Sequence, residues 1–158
     1  MPKGDNKVVD IICEGYMVRI ANVTDAEQLN ILNEEFNGKG ETTLENIKSS
    51  LLNNQQEIVV VSEVEDMLVG FVCVQLKKSF CYDDYMPELT EVYVKPKYRQ
   101  KGVASEMIRF AEEYCSKTYP LHKFELLTGK ENNTAQIVYG KLGYEDDGEI
   151  HLSKRVKR

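Results

Sequence analysis

The sequence predicts an α/β (α+β) fold, with strands and helices in the order βααβββαβαββ over residues 17–153. Two alternating patterns support this prediction. Short runs rich in β-branched and aromatic residues, bounded by Gly, Pro, Asn or Asp, are typical of strands. Longer segments in which apolar residues recur every three or four positions are typical of amphipathic helices. The chain of 158 residues is most simply one domain, residues 1–158, with its core at residues 17–153.

The N-terminal third is predicted to form one strand and two helices. Residues 1–15 are an extension without an assigned role, and residues 17–21 are the first strand. Segments 24–27 and 42–45 each have the form of a capping box, which marks the start of a helix. An apolar stripe at helical spacing follows each box. The first is Leu29, Leu32 and Phe36, and Gly38 and Gly40 end its helix. The second is Leu44, Ile47, Leu51 and Leu52.

The next segment is predicted to be an antiparallel hairpin that is buried on both faces. Its strands are the apolar runs 58–61 and 68–76, and the acidic turn 63–66 joins them. The connection that follows, residues 77–87, either forms the rim of a substrate site or packs its own aromatic side chains. It is rich in aromatic and acidic residues, namely Phe80, Tyr82, Asp83, Asp84 and Tyr85.

A strand, a basic turn and a helix are predicted over residues 89–115. Residues 89–94 are β-branched and aromatic, and they end before Pro96, as a strand should. The turn holds four cations, Lys95, Lys97, Arg99 and Lys101. The apolar stripe of the helix is Ala104, Met107, Ile108, Ala111 and Cys115.

The basic turn suits a bound anion. The first N–H groups of a helix lack intrahelical partners and lie at the positive end of the helix dipole, where phosphate binds well. Gly102 has no Cβ, so an oxygen atom can approach its backbone. Because the chain has a net charge of −6, a compact basic turn indicates one bound anion and not a polyanion surface. The alternative is a basic surface turn that only caps the helix.

The last third is predicted to hold a buried strand, a helix and two closing strands. Residues 124–127 are the buried strand, and Asn132 or Asn133 caps the helix. Tyr144 and residues 150–152 would close the sheet. The helix stripe and the glycine that ends it are Ala135, Val138, Tyr139, Leu142 and Gly143.

Composition and charge exclude several classes of function. The chain is 42% hydrophobic and 29% charged, as in ordinary globular proteins, and its negative net charge argues against DNA or RNA as the main partner. No signal peptide or membrane-spanning stretch is recognisable, so we expect a cytoplasmic protein without membrane contact. The four cysteines and two histidines lack metal-site spacing, so no metal is expected. A cysteine nucleophile is disfavoured because Cys73 lies in an apolar strand and Cys115 on the apolar stripe of a helix, where a buried, inert thiol is usual.

Residues 99–104, Arg-Gln-Lys-Gly-Val-Ala, resemble the Arg/Gln-x-x-Gly-x-Gly/Ala signature of the GNAT superfamily of acyl-CoA-dependent N-acyltransferases. The preceding segment 92–98 is similar to the family's strand and turn, and Ala104 stands in place of the second glycine. The resemblance covers residues 17–153. It implies a GNAT fold, in which helices flank a central mixed, mostly antiparallel sheet, and a turn that cradles the pyrophosphate of coenzyme A.

A second segment, residues 132–144, resembles the family's Asn-x-x-Ala-x-x-x-Tyr-x-x-x-Gly-Phe/Tyr pattern. The match implies that Asn132 contacts the pantetheine or phosphate arm of coenzyme A. It also implies that Tyr139 lies near the sulfur and acts as the general acid. The alternative for Tyr139 is an aromatic core residue on a helical stripe.

The resemblance also implies roles for the strand. Glu91 is the candidate base, because a carboxylate just before Val92 recurs in the family as a base or a substrate anchor. The alternative is an ordinary solvated strand residue. Asp84 and Glu88 are further candidates for binding the amine, beside Glu91. The candidate cofactor-binding residues are Val92, Tyr93, Val94, Arg99, Gln100, Lys101, Gly102, Val103, Ala104, Ser105, Asn132 and Tyr139.

The resemblance implies an N-acetyltransferase that moves the acetyl group of acetyl-CoA to a primary amine by direct attack in a ternary complex. Strand 89–94 with its loop is similar to aminoglycoside 6′-N-acetyltransferases, and an acidic protein suits a small cationic acceptor. A peptide or protein N-acetyltransferase is the alternative within the family. An acyl-CoA-binding sensor without turnover is the alternative outside enzymes. Dimers are common in the family, and a homodimer stays open.

Overall fold

The structure, a computed structural model, describes residues 11–13 and 15–157. The chain forms two compact units that divide after Leu127, and each is described by itself. The elements of the first unit are β1 (Ile11–Cys13), β2 (Tyr16–Ile20), α1 (Ala26–Asn37), α2 (Leu44–Asn53), β3 (Glu57–Val64), β4 (Met67–Gln75), β5 (Glu88–Val94), α3 (Val103–Thr118) and β6 (Glu125–Leu126). The second unit contains α4 (Asn133–Lys141).

The first unit is built on a sheet whose strands run in the spatial order β1-β2-β3-β4-β5-β6. Neighbouring strands are antiparallel except β5 and β6, which are parallel. The prediction of a mixed, mostly antiparallel sheet is therefore confirmed. Strand β1 was not predicted: it lies in the N-terminal extension and pairs with β2, with Ile11 opposite Val18. None of the helices in the described part of the chain combines the length and apolar character that crossing a membrane requires.

The two predicted capping boxes are out of place by one or two residues. At α1 the box is Asn22–Asp25: the Asn22 side chain accepts from the N–H of Thr24, and the Asp25 carboxylate accepts from the N–H of Asn22, each at 2.9 Å. A 3₁₀ turn thus precedes the helix. At α2 the cap is Thr43, whose hydroxyl accepts from the N–H of Asn46 at 3.1 Å. Several residues that can serve as N-caps lie close together at both helix starts, Asn22, Thr24 and Asp25 at the first and Thr42 and Thr43 at the second, so the local pattern alone does not fix the register.

The hairpin of β3 and β4 confirms the predicted antiparallel pair, with Val61 opposite Phe71. Its turn is at Glu65 and Asp66, which have φ angles of +48° and +65°. Two consecutive residues in the left-handed region form the hairpin turn whose twist matches that of the strands. The centre of the hairpin is buried on both faces, as predicted. Its buried side chains are Val60, Val61, Val69, Phe71, Val72 and Val74.

Helices α1 and α3 cover the sheet. Leu29 and Leu32 of α1 pack with Phe71 and Tyr93. Four of the five residues of the predicted α3 stripe are buried, namely Met107, Ile108, Ala111 and Cys115, and the fifth, Ala104, is half-buried. Val103 and Phe110, which were not part of the predicted stripe, are also buried.

Helix α3 and strand β5 come close to β4 at Gly70. A Cβ at Gly70 would lie 2.7 Å from the backbone oxygen of Tyr93 and 3.0 Å from Cε of Met107. These distances are shorter than van der Waals contact, so only glycine lets both neighbours pack here.

The predictions for the C-terminal strands are wrong in part. Strand β6 covers only two residues, both half-buried, and Leu127 beside it is 59% exposed. Tyr144 and residues 150–152 form no strand in the described chain, and Ile150 and Leu152 are each 81% exposed. Asx turns just before them offer a reason. The carboxylates of Asp146 and Asp147 accept from the N–H groups two residues ahead, which turns the backbone instead of extending it.

Candidate active site

Within the described residues of the first unit, one edge of β5 has no strand partner beyond β6. Strand β6 pairs with Glu88 and Leu89 and goes no further along β5. On the other side, the N–H of Lys95 donates to the backbone oxygen of Val69 at 2.8 Å. Backbone groups alternate in direction along a strand, so those of Val92 and Val94 point away from β4. We call residues Thr90–Val94 the open edge of β5.

A β-bulge lies where the open edge begins. Glu91 is opposite Cys73 but Leu89 is opposite Val74, so Thr90 is an extra residue in β5. A bulge bends its strand and increases the local twist, and the pairing of β5 with β6 ends at Leu89, directly before the bulge. The bulge was not predicted from the sequence, and no glycine or proline marks it.

A tight loop follows β5 and leads into α3. Gln100 and Gly102 both have left-handed backbone conformations, with φ angles of +60° and +81°. Gly102 is the N-cap of α3, and no side chain hydrogen-bonds there as a cap. A Cβ at Gly102 would meet no atom within 4 Å, so the space beside its backbone is open. The first N–H groups of a helix of this length point towards such a space.

Three of the four cations, Lys97, Arg99 and Lys101, divide into two groups, whereas Lys95 pairs with Glu35. Nε of Arg99 donates to the backbone oxygen of Val94 at 2.8 Å, and the guanidinium carbon lies 5.6 Å from the centroid of the Tyr93 ring. Arg99 therefore links the loop to β5 and stabilises its position. Nζ of Lys97 and of Lys101 lie 5.7 and 5.9 Å from the centroid of the Tyr98 ring, on exposed residues. These two lysines are placed to attract an anion.

A second group of side chains lies on the sheet face that α1 covers. Glu91 is two residues from Tyr93 on β5, and Cys73 is two residues from Phe71 on β4. Side chains two residues apart on a strand point to the same face, so Glu91 and Cys73 share the face of Tyr93 and Phe71. Burial raises the pKa of Glu91. Burial raises the pKa of Glu57 too, and the charge of Glu91 adds to this effect, while a hydrogen bond from Ser50 opposes it.

The Cys73 thiol lies between these two acids. Burial raises its pKa strongly, and the nearby Glu57 and Glu91 charges raise it further. The thiol therefore stays protonated at neutral pH, which makes it a poor nucleophile. The predicted inert character of this cysteine agrees with that environment. Glu57 was not predicted as a site residue, and its sequence signal is weak: an acid directly before the apolar run 58–61.

The remaining predicted acceptor residues lie near the start of β5. The Glu88 carboxylate is 3.9 Å from Nζ of Lys77, so it is part of a surface ion pair. Asp84 is half-buried in the connection 77–87. In the same connection Tyr85 packs against Tyr119, whereas the side chains of two other aromatic residues stay exposed, Phe80 at 99% and Tyr82 at 61%.

In the second unit, Asn132 is the N-cap of α4, and its side-chain oxygen accepts from the N–H of Ala135 at 3.2 Å. The prediction of a cap at Asn132 or Asn133 is thereby confirmed for Asn132. Tyr139 is half-buried on α4, and its ring centroid lies 6.3 Å from that of Tyr144 in an edge-on contact. Burial raises the pKa of the Tyr139 hydroxyl, so it remains a proton donor at neutral pH.

Among the residues that the structure describes, no group of three or more His, Cys, Asp or Glu side chains is arranged to hold a metal ion. The open edge of β5 and the loop at residues 99–102 instead offer backbone donors and lysines. This donor set fits a long ligand with an anionic group at one end.

Comparison with known proteins identifies the class. The sequence profile of the Acetyltransferase (GNAT) family matches residues 26–144. The chain belongs to this family. The match includes both segments in which the sequence resembles the family's signatures.

Several proteins are similar in sequence. Spermidine N(1)-acetyltransferase of Escherichia coli is 33% identical over 60 residues, which are 38% of this chain and 32% of that protein. The match thus spans about a third of that relative's length. An acetyltransferase of Yersinia pestis is 29% identical over 66% of this chain and 70% of that protein. An N-acetyltransferase of Methanocaldococcus jannaschii is 30% identical over 67% of this chain and 49% of that protein.

Solved structures agree in fold. An aminoglycoside acetyltransferase from an uncultured soil metagenomic sample superposes with a TM-score of 0.80 at 14% identity, over 93% of this chain and 100% of that one. An aminoglycoside N-acetyltransferase in complex with a bisubstrate analogue of coenzyme A superposes with a TM-score of 0.78 at 18% identity, over 90% and 99%. At these identities the likeness establishes the GNAT fold alone.

Proposed function

We propose that this protein transfers the acetyl group of acetyl-CoA to a primary amine of a small cationic acceptor, by direct attack in a ternary complex. Family membership and the named acetyltransferase relatives support acetyl-group transfer. The structural observation that carries the proposal is the continuity of two features. The open edge of β5 runs directly into a loop where Gly102 leaves space at the start of a helix.

Acetyl-CoA fits these features in two parts. Its pantetheine arm carries amide groups, which can hydrogen-bond to the backbone of Val92 and Val94 on the open edge. Its pyrophosphate can accept from the first N–H groups of α3 beyond Gly102. Lys97 and Lys101 supply positive charge from the exposed side of the loop. Arg99 supports the loop from within.

The reaction needs a base, because an amine is mostly protonated at neutral pH and cannot attack a thioester in that form. Glu91 is the proposed base, and its raised pKa makes it a stronger proton acceptor than an ordinary glutamate. The amine nitrogen bonds to the thioester carbon, the carbon–sulfur bond breaks, and coenzyme A leaves as a thiolate. The backbone N–H of Val92 points away from β4 and can stabilise the negative charge that develops on the carbonyl oxygen.

Direct attack is favoured over an acetyl-cysteine intermediate. Cys73 is opposite Glu91 but has a strongly raised pKa, so it lacks the thiolate that would attack acetyl-CoA. Tyr139 is the proposed acid that protonates the leaving thiolate, a role that rests on the family signature at residues 132–144. A thiol with a pKa of about 8.5 leaves easily, so this contribution is expected to be modest.

A cationic acceptor is supported by charge and by kinship. Glu91 and Glu57 place two carboxylates on one face of the sheet, and Asp84 and Glu88 are further candidates near the start of β5. One relative is a spermidine acetyltransferase and two structural neighbours are aminoglycoside acetyltransferases. Polyamines and aminoglycosides are therefore the acceptor classes to test first.

The decisive experiment is a calorimetric titration of the protein with acetyl-CoA, followed by assays of coenzyme A release with polyamines, aminoglycosides and short peptides. We expect saturable acetyl-CoA binding and turnover with one of the first two classes. Turnover only with peptides would move the acceptor to a protein or peptide amine. Binding without turnover of any amine would favour an acyl-CoA sensor. Lack of acetyl-CoA binding would overturn the proposal.

A further inference from the structure

Glu35 of α1 contacts two residues at the end of β5. The hydroxyl of Tyr93 donates to Oε2 of Glu35 at 3.0 Å. Nζ of Lys95 lies 3.6 Å from Oε1 of the same carboxylate. Tyr93 and Lys95 flank Val94, the last residue of β5, so one carboxylate from the neighbouring helix holds both sides of the strand end.

The Tyr93 ring connects this contact to the loop. The ring is 7% exposed and packs against Phe36, with centroids 5.1 Å apart, and against Phe71 at 5.9 Å. The Arg99 guanidinium lies over the same ring, and Nε of Arg99 donates to the backbone oxygen of Val94. The position of Arg99 therefore depends on a ring whose hydroxyl is held by Glu35.

The loop needs such support. Gln100 has a left-handed backbone conformation, which costs free energy for a glutamine because its Cβ crowds the following carbonyl oxygen. Neighbouring contacts must hold that conformation in the ligand-free protein. When only a fraction of molecules has the competent loop, the apparent dissociation constant of the ligand rises in inverse proportion to that fraction.

We propose that Glu35 is a positioning residue for acetyl-CoA, which keeps the loop at residues 99–102 in its binding conformation through Tyr93 and Lys95. The inference rests on the proposed function for the identity of the ligand. Glu35, Tyr93 and Lys95 themselves form part of the wall of an open groove of about 630 Å³. The Glu35 side chain is 37% exposed, so water screens the ion pair and the expected effects are moderate.

The test compares Glu35→Ala with Glu34→Ala, which removes the adjacent carboxylate on the same helix. For Glu35→Ala we expect the dissociation constant and the KM of acetyl-CoA to rise about three- to tenfold. We expect kcat and the KM of the amine to stay within about twofold, which a general loss of structure would not allow. Glu35→Gln retains an acceptor for the Tyr93 hydroxyl, so its defect should be smaller than that of Glu35→Ala.

A second measurement needs no ligand and separates this inference from the proposed function. Amide hydrogen exchange over residues 99–105 should be faster in Glu35→Ala than in the wild type and in Glu34→Ala. If the wild type fails to bind acetyl-CoA, the proposed function falls and the ligand assignment falls with it, while faster exchange still supports the role of Glu35 in holding the loop conformation. Equal exchange in both alanine variants would overturn it.

The variant Tyr93→Phe keeps the ring under Arg99 and removes only the hydroxyl. It should reproduce part of the Glu35→Ala effect, and the double variant should be no worse than Glu35→Ala alone. If Glu35→Ala does not fold, Tyr93→Phe and Glu35→Gln alone still test the inference. Additive effects of the two substitutions would contradict a shared route through the Tyr93–Glu35 hydrogen bond.

Discussion

Glu91 and Cys73 lie directly opposite each other on β5 and β4, at the residue where the bulge begins. Both groups titrate, and burial raises the pKa of both. The consequence differs because their ordinary pKa values lie on either side of neutrality. A carboxylate with a raised pKa becomes a better base, whereas a thiol with a raised pKa becomes a poor nucleophile at neutral pH.

Replacement of Glu91 by Gln should lower kcat by roughly 10²–10⁴-fold and leave the dissociation constant of acetyl-CoA unchanged. Glu91→Asp keeps a carboxylate and should retain part of the activity. In the wild type, kcat/KM should fall as the pH drops through the raised pKa of Glu91, because a base acts only when deprotonated. This acid limb should therefore lie above the ordinary glutamate value of about 4.3. Wild-type turnover in Glu91→Gln would remove Glu91 as the base.

Replacement of Cys73 by Ala should leave turnover within about threefold of the wild type, because direct attack makes no use of the thiol. Mass spectrometry of the wild type mixed with acetyl-CoA alone should detect no acetylated Cys73. Loss of turnover in a folded Cys73→Ala protein, together with an acetylated thiol in the wild type, would indicate a covalent intermediate instead.

Gly102 gives a matched pair of variants. Asp and Asn both tolerate the left-handed conformation that Gly102 adopts, and they differ by one charge. Gly102→Asp should weaken acetyl-CoA binding at least about tenfold relative to Gly102→Asn, since it brings a negative charge to the proposed pyrophosphate site. Calorimetry on the two variants measures the difference. Equal affinities would argue against phosphate binding at this loop.

Replacement of Tyr139 by Phe should reduce kcat by about tenfold while acetyl-CoA affinity is kept. The effect is expected to be small because the coenzyme A thiolate is a good leaving group. The measurement is kcat of the wild type and of Tyr139→Phe from about pH 6 to about pH 9, because the coenzyme A thiol titrates in roughly this range. An unchanged profile in Tyr139→Phe would leave the residue as a core aromatic.

An ion network before α1 should carry stability. Arg19 hydrogen-bonds Asp25 through two nitrogens, at 2.7 and 2.8 Å, and Glu63 at 2.8 Å. Burial alone would raise the pKa of Asp25, but the bonds from Arg19 and from the N–H of Asn22 prevail and lower it. Asp25→Asn should reduce the free energy of unfolding by about 2–3 kcal/mol at neutral pH, measured by urea denaturation.

The pH dependence gives a control for the same network. A depressed carboxyl pKa contributes stability above its unfolded value of about 3.9, and this stability is lost as the pH falls through the lower folded pKa. Asp25→Asn should lack this part of the acid transition. The control variant Asp66→Asn makes the same carboxylate-to-amide change at an exposed residue of the hairpin turn. Its free energy of unfolding should stay near that of the wild type. A similar loss in both variants would show that the network is not the cause.

Local patterns predicted the loop well. The strand, the basic turn, Gly102 and the stripe of α3 are adjacent in sequence, and the structure has each at its predicted place. The N-cap at Asn132 and the stop at Gly143, whose φ is +95°, are local in the same way. The roles of these residues in binding and catalysis stay predictions.

Features that depend on distant residues were missed. Glu57 meets Glu91 only through the register of β3, β4 and β5, and the bulge at Thr90 arises from the same pairing. Nothing within a few residues of either position indicates it. Ile150 and Leu152 alternate with polar residues, as edge strands do, yet a strand exists only where a neighbour supplies hydrogen bonds.

The open edge of β5 also exposes the protein to other chains. Unpaired strand edges are templates on which a second molecule can add a strand and begin to aggregate. Here the bulge at Thr90 disrupts the edge at one end, and Arg99 occupies the carbonyl of Val94 at the other. The segment left between them, residues 91–93, is shorter than a typical strand, which disfavours the addition of a strand from a second molecule while leaving backbone groups for the proposed ligand.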